Sequence, residues 1–400
     1  MGMKIQDAKV RIVLNSKAQP TLEVIFRGAG WRVEASSPSG TSAGSHEAQA
    51  WPRAKTVDEA VRKSAEILVR DVFPEIVGKD LEPAEVDELL EKIDGTERFE
   101  RIGGNAALAV SIAAVKGFAW ENELEYFEAV AEAYGFEPRP VKPLENFIGG
   151  GAHGGATDIQ EFLMALNAED MRENILVLSW AYRELKEMLK ERDPRFEGTL
   201  TLESAYVTYL STDGILETLG IMRDILHDAG YEAALGIDAA ANEMWDGEKY
   251  VWRKEGVERT TEEQAALMET LAERYELAYM EDPFHEDAFD EFKALQSKVR
   301  TVITGDDLFV TNAKRIERGK GIKGALIKLN QAGSVSRTVE AVKAARRQEM
   351  VVTVSHRSGE TDDPFLSHFA VGVGADYAKI GAAGIRIVKL NELLRISELL

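Results

Sequence analysis

The 400-residue chain contains no cysteine, which removes disulfides, thiolate nucleophiles, Cys-ligated zinc and iron–sulfur clusters from consideration. Any metal it binds must be held by oxygen or nitrogen. An excess of basic residues is also missing: 48 Lys and Arg stand against 69 Asp and Glu, a formal net charge of -21. Long-range repulsion then argues against nucleic acid or an anionic membrane as the main partner. A small anionic substrate would need metal or clustered cations to reverse this field locally. No stretch reaches about 18 uninterrupted apolar residues, and MGMKIQDAKV runs directly into strand-like sequence without a charged-then-apolar signal region. A cytoplasmic protein is the expectation. What is present, 44% hydrophobic and 29% charged residues, is the composition of an ordinary globular chain, long enough for one large core and a smaller companion.

Residues 4 to 35 alternate and are rich in β-branched types (RIVLN, TLEVIF, WRVEA), which predicts a small antiparallel sheet. The stretch SSPSGTSAGSHEA at 36 to 48 reads as a flexible loop. Helical periodicity follows over 57 to 71, 83 to 93, the Ala-rich 104 to 121, and 123 to 135. EPRPVKPLENF at 137 to 147 places three prolines in a short span, as at the entry to a new domain. These features predict an α+β capping domain over 1–136 and a second domain over 137–400.

The second part repeats one pattern, in which a short apolar run ends on a polar residue and a helical stretch leads to the next run. The ends are Asp238 after AALGI, Glu281 after LAYM, Asp306 after TVITG, Lys328 after GALI, His356 after VVTVS and Lys379 after DYA. Six such units suggest a parallel α/β barrel, and PLENFI at 143 to 148 with DIQEFLMAL at 158 to 166 would complete eight strands. Chemistry in such barrels collects at the C-terminal mouth of the strands, where loops converge over a packed interior. A single charged residue at a strand end is usually a solvated loop residue. Six in order, three acids and then three bases, form a constellation.

Three converging carboxylates repel one another unless a cation sits among them. Hard oxygen donors favour Mg²⁺ over zinc or copper, the alternative being an ion-pair network with Lys328 and Lys379. A lysine facing a metal-bound substrate suits a general base, because nearby cations lower its pKa and release the free amine. Glu161, Glu203 and His153 lie on loops able to cover the same mouth and supply an acid. The glycine-rich IGGGAHGGA at 148 to 156 matches neither the dinucleotide fingerprint nor the P-loop, and reads as a lid, with SGTSAGS at 39 to 45 as a second. Proton abstraction next to a carboxylate is the chemistry such a set permits.

The strings PSGTSAG, GGAHGGATDIQEF, IDAAANE, MEDPFHEDAF, GDDLFVTN, IKLNQAGS, SHRSGETDD and AKIGAA, in this order, resemble the enolase family from about residue 8 to 397. Sites of that superfamily in general use a Lys or His base with one or two Mg²⁺, so this chemistry comes with the resemblance. The resemblance implies an α/β fold in which an N-terminal α+β lid domain precedes a β2α2(βα)6 barrel. It further implies a lyase that reversibly dehydrates 2-phosphoglycerate to phosphoenolpyruvate. Lys328 then matches the base that takes the C2 proton, and Glu203 the acid that protonates the C3 hydroxyl. Asp238, Glu281 and Asp306 match the ligands of one Mg²⁺, and Ser42 helps hold a second, with Asp307 behind the ligands. His153, Gln160, Glu161, His356, Arg357, Ser358 and Lys379 match substrate-contacting positions, with Arg357 and Ser358 on the phosphate and Lys379 near the carboxylate. A homodimer or higher homo-oligomer, using a Glu23 to Arg395 contact between copies, is expected.

Four segments depart from the family pattern, one of them the second lid, which is one residue shorter than usual between His153 and Glu161. TLESAYVT at 201 to 208 replaces a GDEGGFAP-like stretch and keeps only the glutamate. NSKAQPT at 15 to 21 replaces DSRGNPT, and IGAAGIRIVKLNE after Lys379 lacks an Arg-Ser-Glu-Arg run. A paralogue acting on another carboxylate, or a non-catalytic protein that kept the fold, would also fit such edits.

Overall fold

The computed structural model describes residues 2–40 and 46–400. Ser42 and most of the predicted first lid lie outside the described residues. In the N-terminal part the strands Asp7–Leu14, Pro20–Arg27 and Arg32–Ser36 form an antiparallel sheet in sequence order. The middle strand is buried at Leu22, Val24 and Phe26, the alternate positions that face the helices. Against it packs the helix Gly104–Glu121, where every residue from Gly104 to Ala119 is buried. Its alanines leave little side chain in the way, so sheet and helix approach closely on all sides. The helix predicted over 57 to 71 is divided: Val57–Ile67 is α-helical, Leu68–Val72 forms a π-turn, and Phe73–Ile76 resumes the α-form.

The remainder closes into an eight-stranded barrel. Strands Ala233–Asp238, Tyr279–Glu281, Val302–Gly305, Gly324–Ile327, Val351–Ser355 and Tyr377–Gly381 run parallel, and the last pairs with Lys142–Gly149 to close the ring. All eight predicted runs are strands, the six strand-helix units are parallel as expected, and one of the two strands that precede them runs the other way. Glu161–Leu166 is antiparallel to both its neighbours, Lys142–Gly149 and Ala233–Asp238. It follows its predecessor through a short glycine-rich connection rather than a helix, and such a link returns the chain in the opposite direction. The reversal matters for the site: Glu161 is the first residue of its strand, and it reaches the same end of the barrel as the last residues of the others.

The N-terminal part is tied to the barrel by buried polar contacts. Lys116 on the buried helix pairs with Asp363 at 2.8 Å, both side chains being almost inaccessible. This fixes the 356–363 segment under the cap.

Candidate active site

Strand register builds the first half of the site. Glu161 stands opposite Asp238, and Asp238 opposite Glu281, so three buried carboxylates lie side by side on neighbouring strands and face the same way. Lys379 reaches them from another strand, with its Nζ 2.9 Å from Glu161 Oε2, 3.1 Å from Asp238 Oδ2 and 2.8 Å from Glu281 Oε2. It is the third residue of its strand, so it sits inside the barrel rather than past the strand end as the sequence suggested. Burial alone would lower its pKa, but the three carboxylates outweigh burial and raise it well above the ordinary value.

Asp306 follows its strand and is paired with Lys328, and its Oδ1 accepts from Gln331 Nε2 at 2.9 Å. The expected convergence of Asp238, Glu281 and Asp306 is therefore incomplete. Among the described residues, the sets of three possible metal-ligating side chains whose atoms all lie within 4.8 Å of one another are His153 with Glu161 and Glu203, and Asp282 with Asp306 and Asp307. Each expected ligand is drawn to a lysine instead, Asp238 and Glu281 to Lys379 and Asp306 to Lys328. The backbone N–H groups of Asp306 and Asp307 both donate to Asp282, at 2.9 and 2.8 Å, which shapes the turn carrying Asp306.

Lys328 holds the buried Asp306 carboxyl below its ordinary value, whereas Lys379 does not do the same for Glu281. Burial, and then the negative charges of Asp238 and Asp306, push the Glu281 carboxyl up to about 8. Asp238, Glu281 and Asp306 thus offer an all-oxygen donor set in which Glu281 lacks full compensation, and such a set fits a hard divalent cation. Lys328 is set by the charges around it. Burial and Arg357 lower it, but the Asp306 carboxylate prevails and Lys328 is pushed up to about 12.

The second half of the site is built by loops. Glu203 lies in a tight turn in which Thr201 Oγ1 accepts from the N–H groups of Glu203 and Ala205, each at 3.2 Å, while Ser204 has φ +64°. Its carboxylate is buried, with Oε2 3.4 Å from His356 Nε2. Burial would raise its pKa, but His356 first, then His153 and Arg386, hold it well below the usual carboxylate range. Glu161 goes the other way, raised well above by burial and by its acidic neighbours. These two neighbouring carboxyls, the acid candidate Glu203 and Glu161, are thus pushed in opposite directions by their surroundings.

Arg357 is buried and held by Asn330 Oδ1 at 2.6 Å and Glu47 Oε2 at 3.4 Å. Lys17, from the departing NSKAQPT segment, donates to the Gly40 carbonyl at 3.1 Å and to Ser358 Oγ at 3.4 Å. Burial and then the nearby Arg357 lower its pKa, so this corner is a cation cluster on an otherwise acidic protein. The local reversal of field exists here. Sequence patterns missed Lys17 as a site residue, although its place in an edited family string was a signal. They also missed Asn330, Glu47 and Arg386, which touch the site through partners distant in sequence.

One cavity of about 370 Å³ joins these halves, lined by His153, Gln160, Glu161, Glu203, Asp238, Lys328, His356, Arg357, Ser358 and Lys379. A larger cleft of about 850 Å³ between the cap and the barrel contains none of these ten. Its charged walls are mostly paired with each other, as Arg337 is with Glu91 at 2.6 Å, so the smaller cavity is the chemical site.

A closed barrel that gathers buried lysines, carboxylates and a cation corner in one cavity defines an enzyme for acid–base chemistry on an anionic substrate. Residues 5–130 match the family described as "Enolase, N-terminal domain", and residues 139–400 match "Enolase, C-terminal TIM barrel domain". The chain is 40% identical to an enolase of Pyrobaculum aerophilum, covering 100% of this chain and 97% of that one. It is 39% identical to one from Archaeoglobus fulgidus (100% and 98% covered) and 38% identical to one from Methanothermobacter thermautotrophicus (98% and 96%). The chain belongs to the enolase family.

Proposed function

We infer that the chain is a phosphopyruvate hydratase, a lyase that reversibly dehydrates 2-phosphoglycerate to phosphoenolpyruvate. The observation that carries this reading is one cavity lined by Lys328 and Lys379, by the His153–Glu161–Glu203 cluster and by Arg357 and Ser358, with Lys17 bonded to Ser358 beside it.

In the forward direction Lys328 Nζ takes the C2 proton, the C2–H electron pair becomes the C2=C3 double bond, and the C3 hydroxyl leaves as water. Asp238, Glu281 and Asp306 would hold Mg²⁺, and Ser42 a second ion. Bound there, a hard dication would supply a positive field for charge building on the substrate carboxylate. Lys379, anchored to three carboxylates, adds a fixed cation beside that group. Arg357, Ser358 and Lys17 bind the phosphate, the first pre-oriented by Asn330 and Glu47. The proton for the leaving hydroxyl comes from the Glu161–Glu203 pair, delivered through Glu203, while His153 and Gln160 border the substrate. Arg357 and Ser358 favour a phosphorylated substrate over another carboxylate.

No helix among the described residues is long and apolar enough to cross a membrane. We place the enzyme in the cytoplasm, divide it at 136/137, and expect a homodimer or higher homo-oligomer. Within one chain Glu23 pairs with Arg11, and Arg395 with Glu392, so a Glu23–Arg395 contact between copies would exchange these partners. Ultraviolet assay of phosphoenolpyruvate formed from 2-phosphoglycerate, with Mg²⁺ and then with EDTA, tests the reading. Turnover abolished by EDTA is expected; no turnover by folded, Mg²⁺-supplied protein rejects it and favours a paralogue or a binding protein.

A further inference from the structure

Two of the segments that depart from the family pattern, 201–208 and the run after Lys379, meet each other at Arg386. This guanidinium is 1% exposed, and no carboxylate among the described residues lies within ion-pair distance of it. Its hydrogen bonds go elsewhere. Nη1 donates to the Leu202 carbonyl at 2.9 Å, and Nη2 to the carbonyls of Arg357 at 3.1 Å and Ser358 at 3.0 Å. Nε donates to His356 Nδ1 at 3.1 Å. One side chain therefore grips the Glu203 turn, the phosphate-corner loop and the histidine between them.

The backbone is shaped to admit it. A Cβ at Gly381 would lie 2.6 Å from both Arg386 Cδ and the Glu203 carbonyl. Gly384, at φ +66°, packs where a Cβ would come 2.2 Å from Ser204 Oγ. The two glycines let the 381–386 segment close against the acid turn.

The consequence for His356 is chemical. The Gly381 N–H also approaches His356 Nδ1, at 3.3 Å. Two donors that cannot accept converge on Nδ1, so Nδ1 must present its lone pair and the ring proton must sit on Nε2. Nε2 is the atom that faces Glu203. A second ring proton would collide with the permanently charged guanidinium.

We propose that Arg386 is a positioning residue that fixes His356 as the neutral Nε2–H tautomer and clamps the Leu202–Glu203 turn, so that Glu203 meets the substrate's leaving hydroxyl in one orientation. The role rests on the dehydratase reading, whereas the tautomer does not. Glu203, Arg386 and, at longer range, Glu360 are the charged groups that act on this histidine.

The wild-type protein carries the first test. Six histidines give few ring ¹⁵N signals, and loss of one set in His356→Gln assigns the one that matters. A pyridine-like Nδ1 with a protonated Nε2 is expected across neutral pH. A protonated Nδ1 overturns the proposal whatever any variant does. Arg386→Met should release His356 to mix tautomers and slow dehydration about tenfold or more, while C2 proton exchange falls much less. Added guanidinium should restore dehydration to Arg386→Ala. An unchanged tautomer in Arg386→Met, or equal loss of exchange and dehydration, overturns it. Failure of the wild-type enzyme to turn over 2-phosphoglycerate with the tautomer as stated sinks the dehydratase reading, and the positioning role with it.

Discussion

The two halves of the cavity are built by different means. The lysine–carboxylate half hangs on barrel strands, where register alone puts Glu161, Asp238 and Glu281 in a row and Lys379 among them. The acid half hangs on loops, where Glu203 keeps its place through Thr201, His356 and the Arg386 clamp. Strand pairing over many residues holds a side chain whether or not its neighbours change. A loop has no such template, so its neighbours must change together. That difference explains why the strand-end acids and bases keep the family pattern while the edited 201–208 segment and the run after Lys379 meet on the loop half.

Removing one group from each half should expose the contrast. Lys328→Ala should cut C2 proton exchange and dehydration together, by about a thousandfold, because the base is lost and nothing else in the cavity replaces it. Exchange measured by NMR in deuterated buffer checks this, and surviving exchange would move the base elsewhere. Glu203→Gln should slow dehydration about a hundredfold and leave exchange the faster process, since only the hydroxyl's departure needs the acid side. Equal losses would mean that the halves act as one unit.

The strand half also carries a liability of its own. Glu145, on the Lys142–Gly149 strand, is fully buried and neither carboxyl oxygen has a hydrogen-bond partner. Burial pushes its pKa up to about 8. The sign follows from linkage. Below the unfolded value both states hold the proton and nothing is lost. From about 4.5 up to about 8 the unfolded chain releases it and the folded chain does not, so stability falls as pH rises through that window. At pH 7 the penalty is about 3 kcal/mol. Glu145→Gln should raise Tm at pH 8 more than at pH 5, with catalysis little changed. Equal Tm gains at the two pH values would show that the carboxyl is not carrying the proton.

Much of this architecture was legible in the sequence because it is local. Apolar runs ending on Asp238, Glu281 or Lys328 are strands with a polar residue at the mouth, and those patterns need no knowledge of the fold. The direction of Glu161–Leu166 was not legible, since alternation looks the same in either direction. Nor was the pairing of Asp306 with Lys328, which depends on how two strand ends lean together. Arg386 was the least visible. It sits in an unremarkable GIRIV string, and its carbonyl partner at Leu202 is 184 residues away.

The smallest effect should be the most discriminating. Gly384→Ala adds a methyl group at φ +66°, where it meets the Ser204 hydroxyl. The hydroxyl is the end of a short side chain and can turn aside, so the main cost is the backbone conformation, about 1 kcal/mol. If the loop half is held by mutual packing, dehydration should fall several-fold while C2 exchange stays near wild type. Ser204→Gly should then recover part of the loss, because it removes the hydroxyl and suits a residue that itself lies at φ +64°. Strictly additive losses in the double variant would mean that the two segments touch without setting each other's shape, and the contrast between a templated half and a co-adapted half would fail.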